Sequence, residues 1–386
     1  MTSFAGSQRF LKQKHIMKNT EVPIFRLEFD TDFREKFEDG CREIFDNGIL
    51  TNGQKVQEFE EKFAAFMAAG NALTVNSGTG AIEIALRALD VRGKKVIVPT
   101  NTFIATAAAV ENAGAEILPL DVENESFGLS PEALRKNLSS EIGSVIVVHV
   151  GGIISRYVFE IREMCEQFGV PLIEDACHAH GSQYKGRKAG TFGTAGCFSF
   201  FPTKVMTCGE GGMVITEDVD LYERMLSIRQ FGMDLEDKDL HVRPGSNFKM
   251  TEFQALLGIL DLERLPRRLE RRRILARVYE DHLADSHWQV IQPPTGEQCS
   301  FYKQIVITPL PRQRVRDYCA SKGISLTGEV YRYPLHQQPL HARFKENSSY
   351  PVADSFCPWH ICPPLYPELS EEKIVFVCTT LKEMDR

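Results

Sequence analysis

Residues 196–213 read GCFSFFPTKVMTCGEGGM, with one lysine, Lys204, in an apolar and glycine-rich setting between Ser199 and the turn Gly209, Glu210, Gly211, Gly212. An amine is a nucleophile only when unprotonated, and desolvation beside apolar walls such as Phe198, Phe200 and Phe201 favours the neutral form of a lysine. Ser199 offers a hydroxyl to an anion such as a cofactor phosphate, and the glycines let backbone approach with no side chain in the way. Lys204 is therefore a candidate Schiff-base former. Taken alone, the stretch reads more simply as a strand followed by a surface lysine, so its surroundings decide.

Upstream, short β-branched runs at Leu73–Val75, Lys95–Val98, Glu116–Leu118, Val145–Val148 and Pro171–Ile173 are each followed by helix-like sequence. Such alternation predicts an α/β fold with a mostly parallel sheet covered on both faces. Ligands in these sheets sit at the carboxyl ends of the strands. The first strand ends at Asn76, Ser77, Gly78, Thr79 and Gly80 and opens a helix, which makes an anion site of two hydroxyls and free amides. The dinucleotide pattern G-x-G-x-x-G is only half met, because Glu83 stands where the third glycine belongs. Ser77 also fits a plain helix cap. The second strand delivers Thr100, Asn101, Thr102 and Phe103, whose ring can stack on a planar ligand or fill the core. The fourth brings His149, expected as a buried, hydrogen-bonded histidine. The fifth ends in Asp175, Ala176, Cys177, His178, Ala179, His180. An aspartate at that edge can pair with the protonated ring nitrogen of pyridoxal phosphate (PLP), and His178 can bond its phenolic oxygen. The spacing of Cys177, His178 and His180 fits no common structural zinc pattern.

Helices are expected at Asp30–Asn47, closed by Gly48, at Val56–Met67, Leu221–Ile228 and Arg312–Ser321, and in a long helix running to Leu283 with an interruption near Pro266. Strands are expected at Met213–Thr216, Trp288–Ile291 and Gln304–Thr308. Prolines cluster after Pro334, which suggests a smaller α+β domain with stiffened loops. The expected division is 1–20, a disordered extension; 21–283, a large cofactor-binding domain; and 284–386, a small C-terminal domain.

Length and composition agree with a globular chain: 386 residues, 43% hydrophobic and 25% charged. The net charge of -7 gives no general attraction to nucleic acid or anionic lipid, and no apolar run reaches membrane-crossing length. The basic run of Arg267, Arg268, Arg271, Arg272 and Arg273 alternates with Glu263, Glu270 and leucines, which predicts a solvated helix face. Ten cysteines without paired spacing fit free thiols in a reducing cytoplasm.

With these pieces in order, the chain from about Ile24 onward resembles the DegT/DnrJ family of PLP-dependent sugar aminotransferases. The resemblance rests on NGILTNG with FEEKFA, NSGTGAIEIAL, VIVPTNTFIATAAAV, EDACHAHGS, YKGRKAGTFGTAGCFSFFPTK with CGEGG, and SNFKMTEFQALLG. It implies the type I fold of PLP-dependent transferases, with Lys204 as the Schiff-base lysine and Asp175 as the partner of the pyridine nitrogen. It further implies His178 near the ring hydroxyl, Phe103 stacked on the ring, and a phosphate cradle of Ser77, Gly78, Thr79 and Ser199. Asn247 matches an asparagine that reaches the neighbouring subunit's phosphate, which implies a homodimer with shared active sites. The implied reaction moves an amino group, through pyridoxamine phosphate, from L-glutamate to a keto sugar, commonly a nucleotide-linked one. Arg187, Lys188, Arg229 and Arg332 are candidate partners for the substrate's charge, and Tyr331 and His336 are candidates near the sugar.

The chain departs from the family where Lys249 replaces a frequent arginine, Phe201 a histidine, and His149–Gly152 an aromatic-glycine segment. These changes bear on substrate choice. Family dehydratases carry histidine at the Schiff-base position, so Lys204 favours transamination. The alternatives are a same-fold enzyme acting on a cyclitol or other keto compound, and a non-catalytic regulator that binds the cofactor or a sugar.

Overall fold

The alternating strands assemble into one seven-stranded sheet. The structure, a computed structural model, describes residues 21–346 and 348–385, so the extension expected over 1–20 lies outside the described residues. Helices α1 (Thr31–Asn47) and α2 (Gln54–Met67) come first. The Asp30 side chain caps α1 by accepting from the Phe33 amide at 2.9 Å, and Gly48 ends it at φ 69°, a left-handed conformation that glycine adopts without penalty.

The sheet is built from β1 (Asn71–Val75), β2 (Lys95–Pro99), β3 (Glu116–Leu120), β4 (Ile142–Val148) and β5 (Leu172–Asp175). A separate ribbon, β6 (Gln183–Tyr184) and β7 (Arg187–Lys188), precedes β8 (Ala195–Ser199) and β9 (Gly212–Thr216). Its order is β1-β9-β8-β5-β4-β2-β3, parallel throughout except that β9 runs antiparallel to both neighbours. The α/β expectation holds. Helices α3 (Gly78–Ala88), α4 (Ile104–Asn112), α5 (Pro131–Asn137), α6 (Val158–Phe168) and α7 (Val219–Arg229) cover it.

Register decides where the chemistry gathers. Val148 pairs with Asp175, and Asp175 with Cys197, so β4, β5 and β8 end together. Ser199 and Val75 both pair with Gly212, which brings the start of α3 to the turn that carries Lys204.

Helix α8 (Glu252–Leu283) is continuous over 32 residues and begins with a capping box of Thr251 and Gln254. The interruption expected near Pro266 does not occur. A mid-helix proline costs about 3 kcal/mol, and burial of Leu262, Leu265 and Leu269 around it offsets that cost. The basic run is a solvated face only in part: Arg267 is exposed and Arg271 and Arg273 are half-buried, but Arg268 and Arg272 are buried. Arg268 Nη1 pairs with Asp261 at 2.8 Å, and Arg272 Nη1 donates to the carbonyls of Phe301 and Leu365. Burial pulls the Arg272 guanidinium down to about 9. Helix α8 passes from the sheet layer to a C-terminal layer, so later chain covers the face that its sequence leaves polar.

That layer holds the short strands β10 (Gln289–Val290), β11 (Val306–Ile307) and β12 (His360–Ile361), antiparallel to one another, with α9 (Arg312–Ser321), α10 (Pro351–Phe356) and α11 (Glu371–Lys382). Pairing over only two residues shortens both strands expected here. Its core joins Leu275, Tyr279 and Leu283 of α8 to Trp288, Val306 and Ile374, and Val22 bridges to Ile324 beside them. Among the described residues no helix is long and apolar enough to cross a membrane.

Glu174, fully buried, fixes the end of β5. Its carboxylate accepts from the amides of Gly190 (2.6 Å), Phe192 (2.5 Å) and Gly193 (2.6 Å) and bonds His149 Nε2 at 2.8 Å. His149 Nδ1 accepts from the Ser155 amide at 3.1 Å, which leaves Nε2 as the donor, so His149 is the buried, bonded histidine expected. Glu174→Ala strands three amides and an imidazole in the interior. Its expected cost is about 3–5 kcal/mol, read as a lower urea midpoint of unfolding; an unchanged midpoint contradicts this anchoring.

Candidate active site

At the carboxyl edge of β5, Asp175 keeps both oxygens in defined bonds. Thr106 Oγ1 donates to Oδ2 at 2.8 Å and the Cys177 amide to Oδ1 at 3.2 Å; Thr102 lies 2.9 Å from Thr106. A carboxylate has about four acceptor positions, so capacity remains for a ligand donor. Beside it, the Ser77 side chain caps α3 by accepting from the Gly80 amide at 3.0 Å, which leaves the first-turn amides of Gly78 and Thr79 for an anion. Two glycines make this corner. A Cβ on Gly78 would lie 2.6 Å from the Ser199 Cβ, and one on Gly212 would lie 2.3 Å from the Ser77 carbonyl oxygen. Ser77, Gly78, Thr79 and Ser199 are thus brought together.

Lys204 is half-buried, and among the described residues no carboxylate pairs with it. The three phenylalanines do not wall it. Phe198 and Phe200, two apart on one strand face, pack against Phe63 at 5.2 and 5.5 Å, and Phe201 is exposed. The ring beside the ammonium is Tyr302, with its centroid 4.9 Å away. Its hydroxyl lies 3.2 Å from Thr203 Oγ1, and Lys303 Nζ is 5.1 Å from the same ring. Burial pushes the Tyr302 phenol up, but Lys204, Lys303 and Thr203 outweigh it, and its pKa falls below the ordinary value. His178 stacks on Tyr302 at 4.2 Å and is 5.8 Å from the Tyr331 ring, which lies 6.3 Å from Phe103. Burial, Lys204 and Lys303 hold His178 well below the usual histidine range, so it is a neutral imidazole; its Nδ1 is 3.5 Å from the Tyr331 hydroxyl. Both Asp175 and Lys204 act on the Cys177 thiol between them, which burial and Asp175 push well up and Lys204 opposes.

Asn247 is exposed and sits beside Asn76, the residue before Ser77. Its backbone carbonyl accepts from Asn76 Nδ2 at 3.2 Å, and its Oδ1 accepts from the Lys249 amide at 3.4 Å. Four candidates for substrate contact have other work. Arg229 is buried in an ion pair with Glu60 at 2.6 Å and donates to the Thr74 carbonyl, so its charge is already neutralised inside the fold. His336 spends both ring nitrogens, one on Thr100 at 2.7 Å and one on Asp354 at 2.8 Å, and stacks on Tyr350. The Arg187 side chain donates to the Thr191 carbonyl, and that of Lys188 to the Phe66 carbonyl. Arg332 is exposed over Tyr333, and Tyr331 alone of the sugar candidates reaches the rings around His178.

A profile of the DegT/DnrJ/EryC1/StrS aminotransferase family matches residues 31–382. The chain belongs to this family. It is 32% identical to the GDP-perosamine synthase of Escherichia coli O157:H7, over 87% of this chain and 91% of the relative. It is 30% identical to the UDP-N-acetyl-3-dehydro-alpha-D-glucosamine 3-aminotransferase of Acidithiobacillus ferrooxidans, over 95% of this chain and 98% of the relative. A crystal structure of S. venezuelae DesV in complex with a ketimine intermediate superposes with a TM-score of 0.86 at 29% identity, over 92% of this chain and 95% of that one. The chain is an aminotransferase, and pyridoxal phosphate, with pyridoxamine phosphate as its amino-carrying form, is the cofactor.

The residues present fit that cofactor. An unpaired lysine, a carboxylate with spare acceptor capacity, free amides at a helix start and a neutral imidazole answer its carbonyl, ring nitrogen, phosphate and hydroxyl. Three neighbours escaped sequence reasoning. Thr106 carried a signal, because it lies one helical turn beyond Thr102; Tyr302 and Lys303 had none, because they arrive from the C-terminal part of the chain. Because Arg229 holds the fold rather than substrate, Arg229→Ala is expected to lower stability by about 3–5 kcal/mol with the KM of both substrates unchanged in the folded fraction. A raised KM at unchanged stability would return Arg229 to the site.

Proposed function

We propose that this enzyme transfers an amino group from L-glutamate to a keto sugar carried on a nucleoside diphosphate. The observation that carries this is that Lys204 and Asp175 both act on Cys177, which lies against Gly78 at the start of α3 together with Ser199, on a chain whose relatives are named for GDP-, UDP- and dTDP-linked amino sugars. Bound there, pyridoxal phosphate supplies the electron sink that takes up the pair left when the donor's α-proton departs.

The protein's own residues do the rest. Ser77, Ser199 and the amides of Gly78 and Thr79 hold the phosphate. Asp175, kept in place by Thr106 and the Cys177 amide, keeps a proton on the ring nitrogen. His178, neutral in its stack on Tyr302, would bond the ring hydroxyl, and Phe103, beside Tyr331, would lie against the ring. Lys204 would anchor the cofactor, and its freed amine would move the donor's α-proton as general base and then general acid. The same residues would serve the keto acceptor, with Lys204 returning the proton.

Residues 21–283 form the large cofactor domain in this reading and 284–386 the small one, which contributes Tyr302 and Tyr331 to the site. The enzyme acts as a homodimer. Exposed Phe45, Ile49, Leu50, Phe231, Leu240 and Val242, apolar side chains on the segments flanking Asn247 and around the α1–α2 connection, support this. Ten free thiols support a reducing compartment, the cytoplasm.

The spectrum of the PLP-loaded protein tests the assignment. A visible band that gives way to a near-ultraviolet one on adding L-glutamate is expected in the wild type. Lys204→Ala should show neither the band nor turnover, and Asp175→Asn should slow the glutamate-driven change on the order of 100-fold. Normal turnover without Lys204 would end this reading.

Asn247 is tested by mixing inactive chains. Asn247→Asp sets a charge against the phosphate and should inactivate; refolded one-to-one with Lys204→Ala, it should recover about one quarter of wild-type activity if each site is shared between subunits. No recovery would mean that Asn247 serves its own subunit.

A further inference from the structure

Lys303 shares the Tyr302 ring with Lys204. Each ammonium lies about 5 Å from that ring's centre, so the two are at most about 10 Å apart. The Lys303 backbone is fixed, since its amide donates to the Gly151 carbonyl at 3.0 Å where β4 ends. Its ammonium lies 3.4 Å from the position a Cβ would take on Gly328, against the 328–331 segment that carries Tyr331. Its positive field reaches His178 and Tyr302.

Among the described residues this ammonium has no carboxylate partner. Glu329, the acid next to Gly328, is engaged by Arg316 at 3.3 Å and Arg312 at 4.0 Å. The other cations near the cleft are spent or lie outside it. Arg229 pairs with Glu60, Lys249 sits over Phe231 at 4.5 Å, and Arg332 is exposed over Tyr333. A half-buried, unpaired cation pays desolvation without return until an anion arrives. Two uncommitted ammonium groups around one ring therefore describe a site that is completed by a negatively charged ligand.

We propose that Lys303 binds a carboxylate of the amino donor. The assignment rests on the transamination described above. A donor carboxylate is one or a few bonds from the reacting carbon, so its cation must lie close to Lys204. An amino acid with a hydrogen bond of about 3 Å at each end spans the separation of the two ammonium groups. The diphosphate of a sugar nucleotide is held off by the whole sugar ring, so its contacts belong at the mouth of the cleft, where Arg332, Tyr333 and Phe103 are exposed. Donor and acceptor use the site in turn, and Lys303 serves the first and the 2-oxo acid it becomes.

The test uses PLP-loaded wild type, Lys303→Met, which keeps most of the stem, and Lys303→Arg. Binding is measured calorimetrically with 2-oxoglutarate, which has no amine to transfer, and with GDP, UDP and dTDP as phosphate probes. Lys303→Met should weaken 2-oxoglutarate at least about tenfold and leave nucleotide affinity unchanged, and Lys303→Arg should recover most of the loss. In the spectral half-reaction, Lys303→Met should raise the half-saturating L-glutamate concentration about tenfold with the limiting rate within about threefold. Unchanged 2-oxoglutarate affinity overturns the assignment. So does loss of nucleotide binding instead, which would make Lys303 a phosphate ligand, or equal loss of every ligand and of the cofactor band, which would make its role structural. A wild-type protein that ignores glutamate and every other amino donor removes the functional reading and this assignment together; a wild type that responds beside an unaffected variant removes only the assignment.

Discussion

The buried carboxylate of Glu174 is the interaction on which the rest of the site depends. A carboxylate without water is costly, and four donors, three amides of the 190–193 turn and the His149 imidazole, make it tolerable. Those same bonds tie the ends of β4 and β5 to the segment entering β8. Asp175 is the next residue, so its carboxylate emerges from an edge that is held from both sides. The parallel register of β4, β5 and β8 then sets Asp175 beside Cys177, the start of α3 and the turn bearing Lys204.

A second constraint is backbone proximity. The antiparallel β9 is the one strand that breaks the parallel pattern, and it does so next to β1. That reversal lets the Lys204 turn leave β8 and return at the same edge, against Ser77 and Gly78. Glycines at 78 and 212 allow the approach, because any side chain at either position would occupy space already filled by Ser199 or the Ser77 carbonyl. The candidate anion site is thus a product of sheet topology, with Ser77, Thr79 and Ser199 brought to it.

Charge is sorted by the same architecture. Arg229 and Arg268 are neutralised by partners inside the chain, Glu60 and Asp261. Lys204 and Lys303 are left without such partners around a ring whose phenol they both favour in its ionised form. This leaves positive potential concentrated where an amino acid and a phosphorylated cofactor must meet, in a protein whose overall charge is negative.

The sequence alone determined the local and periodic features. Alternating β-branched runs and amphipathic helices specify an α/β sheet, since burial on both faces imposes that pattern; the residues closing each strand, Ser77, Phe103, Asp175 and Ser199, follow from the rule that loops at the carboxyl edge carry the site. Motifs in order from NGILTNG to SNFKMTEFQALLG carried the family. Only the tertiary structure decided which side chains are free. Arg229 and His336 have partners more than a hundred residues away, and Phe198 and Phe200 turn into the core by a strand alternation that a run of phenylalanines conceals. Helix α8 survives Pro266, and its Arg268 and Arg272 are buried, because other segments pack over it. Tyr302 and Lys303 reach Lys204 from a part of the chain where no short-range pattern marks them. Whether a charge is paired or poised depends on distances between segments that meet only on folding, and no local pattern of residues encodes that distance.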